Sequence, residues 1–172
     1  DVAKLVTDLG AFPAVLTLVL ASSAQLALRR HWYEVAALTL GFVLVYAAVH
    51  PAKNATDRPR PGDPLVHADG PAFPSAHAAY STAWVAVAVV IARVVPGIAS
   101  RAALVGGALA LAAAIGLSRI SLRVHYWSDV AGGWGLGAGI FGLCAVIALI
   151  VAYLRNNGPR PADDRPPAAR MR

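Results

Sequence analysis

The chain has 172 residues, of which 58% are hydrophobic and only 14% are charged. Soluble domains usually carry about 25% charged residues, so this composition excludes an ordinary soluble domain and indicates a polytopic membrane protein. The net charge of +6 does not indicate nucleic-acid binding, because the basic residues are not concentrated on one soluble segment. The single cysteine, Cys144, excludes an internal disulfide bond.

Five apolar segments have approximately the length that crossing a bilayer requires, roughly 17–25 residues. They cover residues 9–28, 33–49, 75–95, 102–117 and 130–154, and Pro51 is expected to end the second helix. Residues 52–74 are polar and rich in proline, which predicts a loop. We therefore predict an all-α, polytopic transmembrane helical bundle in one domain, residues 1–154. Because residue 1 is Asp rather than Met, a sixth N-terminal span could be missing.

The tail, residues 155–172, is rich in proline, arginine and aspartate and is predicted to be disordered. Its side of the membrane follows from the basic residues, which are in excess in cytoplasmic loops. With five spans, the side of the tail carries Arg29, Arg30, Arg93, Arg101, Arg155, Arg160, Arg165, Arg170 and Arg172. The opposite side carries Lys4, Lys53, Arg58, Arg60, Arg119 and Arg123. The larger first set predicts that the protein lies in the cell membrane with its tail in the cytoplasm. The second set would then lie on the extracytoplasmic face.

Three polar segments lie on this predicted outer side, at the ends of apolar spans. They are residues 53–61, residues 74–77 and residues 118–129. Charged groups near a bilayer are costly and usually functional. The short connections of a small bundle would bring the three segments together.

The residue types in these segments suit a phosphoryl group, whose oxygens carry the negative charge during transfer. Arg60 and Arg119 offer planar guanidinium forks to such oxygens, and Lys53 offers a point charge. Ser75 follows a proline at a predicted helix start, where free backbone N–H groups, including that of Ala76, can bind an anion.

His125 is the candidate nucleophile. It precedes Asp129 by four residues, so the two can share one face of a helical turn. The carboxylate would then determine which imidazole nitrogen holds the proton. We predict that His125 attacks phosphorus.

Together, the three segments resemble the three signatures of the type 2 phosphatidic acid phosphatase (PAP2) superfamily, over about residues 33–154. The first signature is matched by Lys53 and Arg60-Pro61, and the second by Pro74, Ser75 and His77, with Ala76 where the family has glycine. The third is matched by Ser118, Arg119, His125 and Asp129. Each signature alone is weak, but all three in this order are highly specific.

The resemblance implies a mechanism and a set of site residues. His125 would form a phosphohistidine, Asp129 would orient its imidazole, and His77 would protonate the leaving oxygen and later activate water. The phosphate would be bound by Lys53, Arg60, Ser75, Ala76 and Arg119. No metal or other cofactor is implied. The substrate would be a membrane lipid phosphate or diphosphate, such as polyprenyl diphosphate, phosphatidylglycerol phosphate or phosphatidate.

Several alternatives stay open at this stage. A phosphotransferase of the same family and a non-enzymatic membrane bundle are both compatible with the composition. The glycines of residues 132–142 indicate close helix packing, within the bundle or in a homodimer. Arg58, Arg123 and Trp127 could border the substrate or contact lipid headgroups. The acidic residues around His67 match no metal-ligand spacing and are interpreted as loop solvation.

Overall fold

The computed structural model describes residues 2–157, and over these residues the chain consists of helices and their connecting loops. In chain order the helices are α1 (Val2–Asp8), α2 (Phe12–Leu28), α3 (Trp32–Thr56), α4 (Ala76–Ala92), α5 (Ile98–Ser121) and α6 (Trp127–Asn157). The all-α prediction is confirmed. The disordered tail was predicted to begin at residue 155, but residues 155–157 belong to α6. The rest of that prediction, residues 158–172, lies outside the described residues.

Among the described helices, α3, α5 and α6 are each long and apolar enough to cross a membrane. Helices α1 and α2 meet at 47°, and together they meet the same criteria, so up to four spans are present by length and composition. Helix α4 is apolar but has 17 residues, or about 25 Å of helix. It packs against α3, α5 and α6 at the centre of the bundle. The predicted polytopic transmembrane bundle is confirmed, but the described helices that meet these criteria give up to four spans rather than the five predicted.

The core lies between α2, α3, α4 and α6. Val15, Val45, Val49 and Ala83 are fully buried there, and Phe141 packs into the same cluster. Large apolar side chains also cover the outside of α6, including Leu143, Ile150 and Leu154. An apolar outer surface of this extent is expected for helices that face lipid.

The prediction that Pro51 ends the second helix is wrong, because α3 continues through Pro51 to Thr56. A proline inside a helix removes one hydrogen bond and crowds the preceding turn. Pro51 is exposed, so the backbone around it can adjust without disturbing the core. The helix ends at Asp57, whose left-handed backbone directs its N–H to the carbonyl of Lys53. Lys53 consequently lies on the last turn of α3 rather than in a loop.

His125 and Asp129 do not share a helical turn, contrary to the prediction. Helix α5 extends to Ser121, and Arg123 has a positive φ of 56°, which turns the chain away from the helix axis. Helix α6 begins only at Trp127. His125 therefore lies in the short connection between two helices, and Asp129 lies in the first turn of α6.

Two glycines allow α6 to approach α4 closely. A Cβ atom on Gly133 would collide with the carbonyl oxygen of Ser75, and one on Gly137 would lie 2.5 Å from the carbonyl oxygen of Ala79. Gly139, by contrast, has no atom within 4 Å of such a position. The glycines thus give α6 one tightly packed face, and this face places the first turns of α4 and α6 side by side.

Candidate active site

The three polar segments meet at one end of the bundle, where α3 and α5 end and α4 and α6 begin. The backbone N–H of Ser75 donates a hydrogen bond of 2.9 Å to the carbonyl oxygen of Asp129, which joins the second segment to the third. Arg60 Nη1 donates to the carbonyl oxygen of Val124 at 2.9 Å, which joins the first segment to the third. The packing of the helices therefore assembles the predicted site residues into one cluster.

At the centre of this cluster, His125 and Asp129 are both buried, and Asp129 has no exposed surface. The Asp129 Oδ2 atom accepts a hydrogen bond from the Tyr126 backbone N–H at 2.8 Å and lies 3.4 Å from His125 Nδ1. The angles of this second contact do not make it a hydrogen bond, and Nδ1 has no other partner among the described residues. A carboxylate beside Nδ1 favours the proton on that nitrogen, which leaves the lone pair on Nε2.

Arg60 lies on the opposite side of the imidazole, with its Nη1 atom 3.4 Å from His125 Nε2. Its guanidinium group is held by backbone carbonyls: Nη2 donates to Asp69 at 2.7 Å and Nε donates to Gly70 at 2.9 Å. Together with the bond to Val124, these contacts hold the guanidinium in one orientation. The imidazole is thus placed between a carboxylate at Nδ1 and a cation at Nε2.

Burial and nearby positive charge lower the pKa of His125 to about 3, with burial as the larger cause and Arg60, Arg119 and Lys53 adding to it. The imidazole is therefore neutral at pH 7, the form in which Nε2 can act as a nucleophile. Burial also lowers the pKa of Arg60, and Asp129 and Asp69 partly offset this effect. An arginine nevertheless keeps its charge at neutral pH.

Besides His125 Nδ1, two other buried polar groups of this cluster lack a hydrogen-bond partner among residues 2–157. Arg119 is only 5% exposed, and its Nη1 donates to Thr7 Oγ1 at 3.0 Å while its Nε donates to nothing. The hydroxyl of Ser75, which is fully buried at the start of α4, is also unpartnered. Buried polar groups are nearly always hydrogen-bonded. Donors left without acceptors beside several cations indicate a site that binds an anion.

The remaining predicted residues border the same space. Lys53 Nζ donates to the carbonyl oxygen of Pro71 at 2.6 Å. His77 lies in the first turn of α4, where the charges of Arg119, Lys53 and Arg60 act on it. Ala76 is the first residue of α4, so its backbone N–H has no acceptor within the helix. Alanine is compatible with this helical position.

Sequence reasoning missed two contributors. Thr7 of α1 accepts a hydrogen bond from Arg119, but a single threonine outside the three polar segments carries no recognisable signal. Arg58 forms an ion pair of 2.8 Å with Asp129, although its role was left open by the sequence. Trp127 is exposed and packs edge-on against Trp134, and Arg123 is exposed.

No group of three or more His, Cys, Asp or Glu side chains that could hold a metal ion occurs within residues 2–157. In the acidic loop, His67 pairs with Asp69 at 2.9 Å, and both side chains are more than 80% exposed, at 87% and 85%. High exposure of both side chains is what the interpretation as loop solvation predicts.

The chain thus brings two histidines, an aspartate and several basic side chains together at one end of a bundle of helices long enough to cross a membrane. The profile of the PAP2 superfamily matches residues 34–153, which is well over half of the chain. The chain therefore belongs to the PAP2 superfamily, as its three signatures predicted. No curated protein is significantly similar to it in sequence.

Two solved structures are similar to the chain. One is the crystal structure of the first transmembrane PAP2-type phosphatidylglycerolphosphate phosphatase from Bacillus subtilis, with 27% sequence identity and a TM-score of 0.80. That match covers 87% of this chain and 76% of the other. The other is the crystal structure of Aquifex aeolicus LpxE, with 24% identity, a TM-score of 0.62 and coverages of 86% and 83%. At this lower identity the second match shows the shared fold alone.

Proposed function

We propose that the protein is an integral-membrane phosphatase that hydrolyses a lipid phosphate or diphosphate through a phosphohistidine intermediate. The observation that carries this proposal is the environment of His125. Its buried, neutral imidazole has Nδ1 beside the Asp129 carboxylate and Nε2 beside the Arg60 guanidinium. A nucleophilic nitrogen that faces a cationic site is suited to attack a phosphoryl group rather than a neutral carbonyl.

The reaction has two displacements at phosphorus. In the first, the lone pair of His125 Nε2 forms the P–N bond as the bond to the lipid oxygen breaks. His77 gives that oxygen a proton, and for this step it is protonated in the substrate complex, where the negative charge of the bound phosphate offsets the surrounding Arg119, Lys53 and Arg60. In the second, His77 removes a proton from water, the water oxygen bonds to phosphorus, and the P–N bond breaks to release phosphate and His125. Lys53, Arg60 and Arg119 stabilise the charge on the non-bridging oxygens in both steps.

A lipid substrate is supported by the position of the site at one end of membrane-spanning helices whose outer faces are apolar. A lipid chain can stay in the bilayer while its phosphate reaches the basic residues. Phosphatidylglycerol phosphate is the first candidate, since the Bacillus subtilis protein with 27% identity is named as its phosphatase. Polyprenyl diphosphate and phosphatidate remain candidates of the same chemical class.

The test is release of inorganic phosphate by purified protein in detergent from each of these three lipids, with His125→Ala as the inactive control. We expect turnover of at least one lipid by the unaltered protein, and water-soluble glycerol 3-phosphate should be a much poorer substrate. Absence of phosphate release from all three lipids would refute the proposal. Analysis of the products also distinguishes hydrolysis from transfer to another acceptor.

We further propose that the site faces the extracytoplasmic side of the cell membrane, on the basis of the distribution of basic residues. The test uses two exposed positions, Asp63 near the site and Ser100 at the opposite end of the bundle. In intact cells, a membrane-impermeant maleimide should label Asp63→Cys and not Ser100→Cys. The reverse pattern would place the site in the cytoplasm. The native Cys144 is buried and contributes little background.

A further inference from the structure

Arg58 contacts the segment that carries the proposed nucleophile in three places. Its Nη1 atom donates to Asp129 Oδ1 at 2.8 Å and to Ser128 Oγ at 2.6 Å. Its guanidinium carbon lies 4.6 Å from the centre of the Tyr126 ring, within range of a cation–π interaction. Arg58 and Asp129 are 71 residues apart in sequence, so this contact is formed only by the tertiary fold.

Because of the ion pair, the two oxygens of the Asp129 carboxylate have different partners. Oδ1 is bound by Arg58, while Oδ2 accepts the Tyr126 N–H and faces His125 Nδ1. A rotation of the carboxylate that moved Oδ2 away from the imidazole would break the bonds on both sides. Because Asp129 is fully buried, its charge would also be very unfavourable without a cationic partner.

Arg58 and Arg60 therefore occupy different positions relative to the imidazole, although a single proline separates them in sequence. Arg60 contacts His125 Nε2, on the side where phosphorus would be attacked. Arg58 lies behind Asp129, on the Nδ1 side, and its Nη1 is occupied by Asp129 and Ser128. This placement suits a residue that acts on the carboxylate rather than on the substrate.

We propose that Arg58 is a positioning residue that holds Asp129 in the orientation that keeps the proton on His125 Nδ1. The proposal rests on the function proposed above, in which Nε2 is the attacking atom. Loss of Arg58 leaves the carboxylate free to turn away from Nδ1. The proton is then no longer held on Nδ1, and in a fraction of the molecules it lies on Nε2 instead. The chemical step is slowed, while binding of the lipid phosphate by the other basic residues persists.

The first experiment is a double-mutant cycle on lipid phosphate hydrolysis with Arg58→Gln, Asp129→Asn and the double variant. Arg58→Gln should lower kcat by about 10- to 100-fold, the range typical of partners that orient a functional side chain. KM should change by less than about threefold. The double variant should be no slower than Asp129→Asn alone, because both substitutions disable the same Arg58–Asp129 pair. If the two substitutions lower kcat by factors that multiply in the double variant, or if Arg58→Gln raises KM at unchanged kcat, Arg58 is a direct phosphate ligand and the proposal is overturned.

Two further variants separate positioning from loss of charge or loss of fold. Arg155→Gln removes the same charge from an exposed position at the far end of α6, and it should retain full activity. Arg58→Lys keeps the charge and should recover part of the lost kcat even if Arg58→Gln does not fold. Equal effects of Arg58→Gln and Arg155→Gln would contradict the proposal.

A readout independent of turnover is the tautomer of His125, measured by NMR on protein with ¹⁵N-labelled histidine and assigned by loss of the signal in His125→Gln. The unaltered protein should show the proton on Nδ1, and Arg58→Gln should show a mixture of tautomers. An unchanged tautomer would overturn the proposal. If the tautomer shifts but His125→Ala remains active, the proposed function fails while the positioning by Arg58 stands.

Discussion

The backbone N–H of Ser75 donates a hydrogen bond of 2.9 Å to the carbonyl oxygen of Asp129. This bond joins the start of α4 to the first turn of α6, and it is possible because Gly133 leaves no side chain between the two helices. Through it, the position of the Ser75 hydroxyl is tied to that of the carboxylate beside His125. The packing of two helices thereby sets the geometry of the proposed site.

If His125 is the nucleophile, turnover that is stopped by rapid quenching should yield a phosphorylated enzyme. A phosphorus–nitrogen bond is labile in acid and stable in base, and the label should be absent from His125→Gln. The measurement is retention of radioactive phosphate on the protein after acid or base treatment. A phosphate that survives acid and is removed by base would indicate a serine ester and contradict the mechanism.

The depressed pKa of His125 predicts that its imidazole stays neutral over the physiological pH range. Since burial and nearby cations lower the pKa to about 3, the NMR shifts of His125 should not titrate between pH 8 and pH 5. In the unfolded chain a histidine titrates near pH 6.5. Above pH 6.5 the imidazole is neutral in both states, and its titration does not affect stability. As the pH falls from 6.5 toward 3, only the unfolded chain binds the proton, so the free energy of unfolding decreases. A titration midpoint near 6.5 in the folded protein would contradict this prediction.

Thr7→Val should impair catalysis although Thr7 belongs to no signature. The change removes the hydroxyl that accepts a hydrogen bond from buried Arg119. Hydrogen bonds to charged groups are worth about 1.5–3 kcal/mol, so kcat/KM should fall roughly 10- to 100-fold. Thr17→Val is the matched control, because the exposed Thr17 hydroxyl bonds only to Pro13 within α2. Equal activity of the two variants would show that Thr7 does not support Arg119.

Gly133→Ala should separate α4 from α6 and lower both stability and activity. The added methyl group would collide with the Ser75 carbonyl oxygen, and overpacking of this kind costs about 1–3 kcal/mol. Gly139→Ala on the same helix meets no atom within 4 Å and should be neutral or slightly stabilising. Tm in detergent and phosphate release measure the two effects. A Tm of Gly133→Ala equal to that of Gly139→Ala would contradict the predicted packing.

Activity should survive an excess of EDTA. Lys53, Arg60 and Arg119 supply positive charge around the proposed phosphate site, as Mg²⁺ does in many other phosphoryl-transfer enzymes. The measurement is phosphate release before and after dialysis against the chelator. Complete loss of activity that Mg²⁺ restores would show that a metal ion takes part.

The sequence predicted α2 to α6 but not α1, which precedes the first predicted segment, and it did not predict where each helix ends. Long apolar segments must be helical in lipid, because only a helix satisfies its own backbone hydrogen bonds there. Local rules failed at Pro51, which lies inside α3, since an exposed proline can be accommodated by small backbone adjustments. They failed again at His125, where the left-handed Arg123 separates α5 from α6.

The three signatures were sufficient to predict which residues would cluster, and the family they indicate is shown by the match over residues 34–153. Their roles in catalysis stay predictions. Thr7 could not have been found from sequence, because its contact with Arg119 depends on where α1 lies against α5.

The order of residues along the chain is enough to predict a bundle of apolar helices with basic and histidine-containing segments at their ends. Which atom each arginine contacts depends on how the helices pack. In the sequence, Arg58 and Arg60 each precede a proline, and only Arg60 matches a signature. Neither contact could be predicted there: Arg58 binds the Asp129 carboxylate, and Arg60 lies beside His125 Nε2. That distinction arises because close packing of α4 on α6 fixes the position of Asp129, and a side chain 71 residues away must then fit against it.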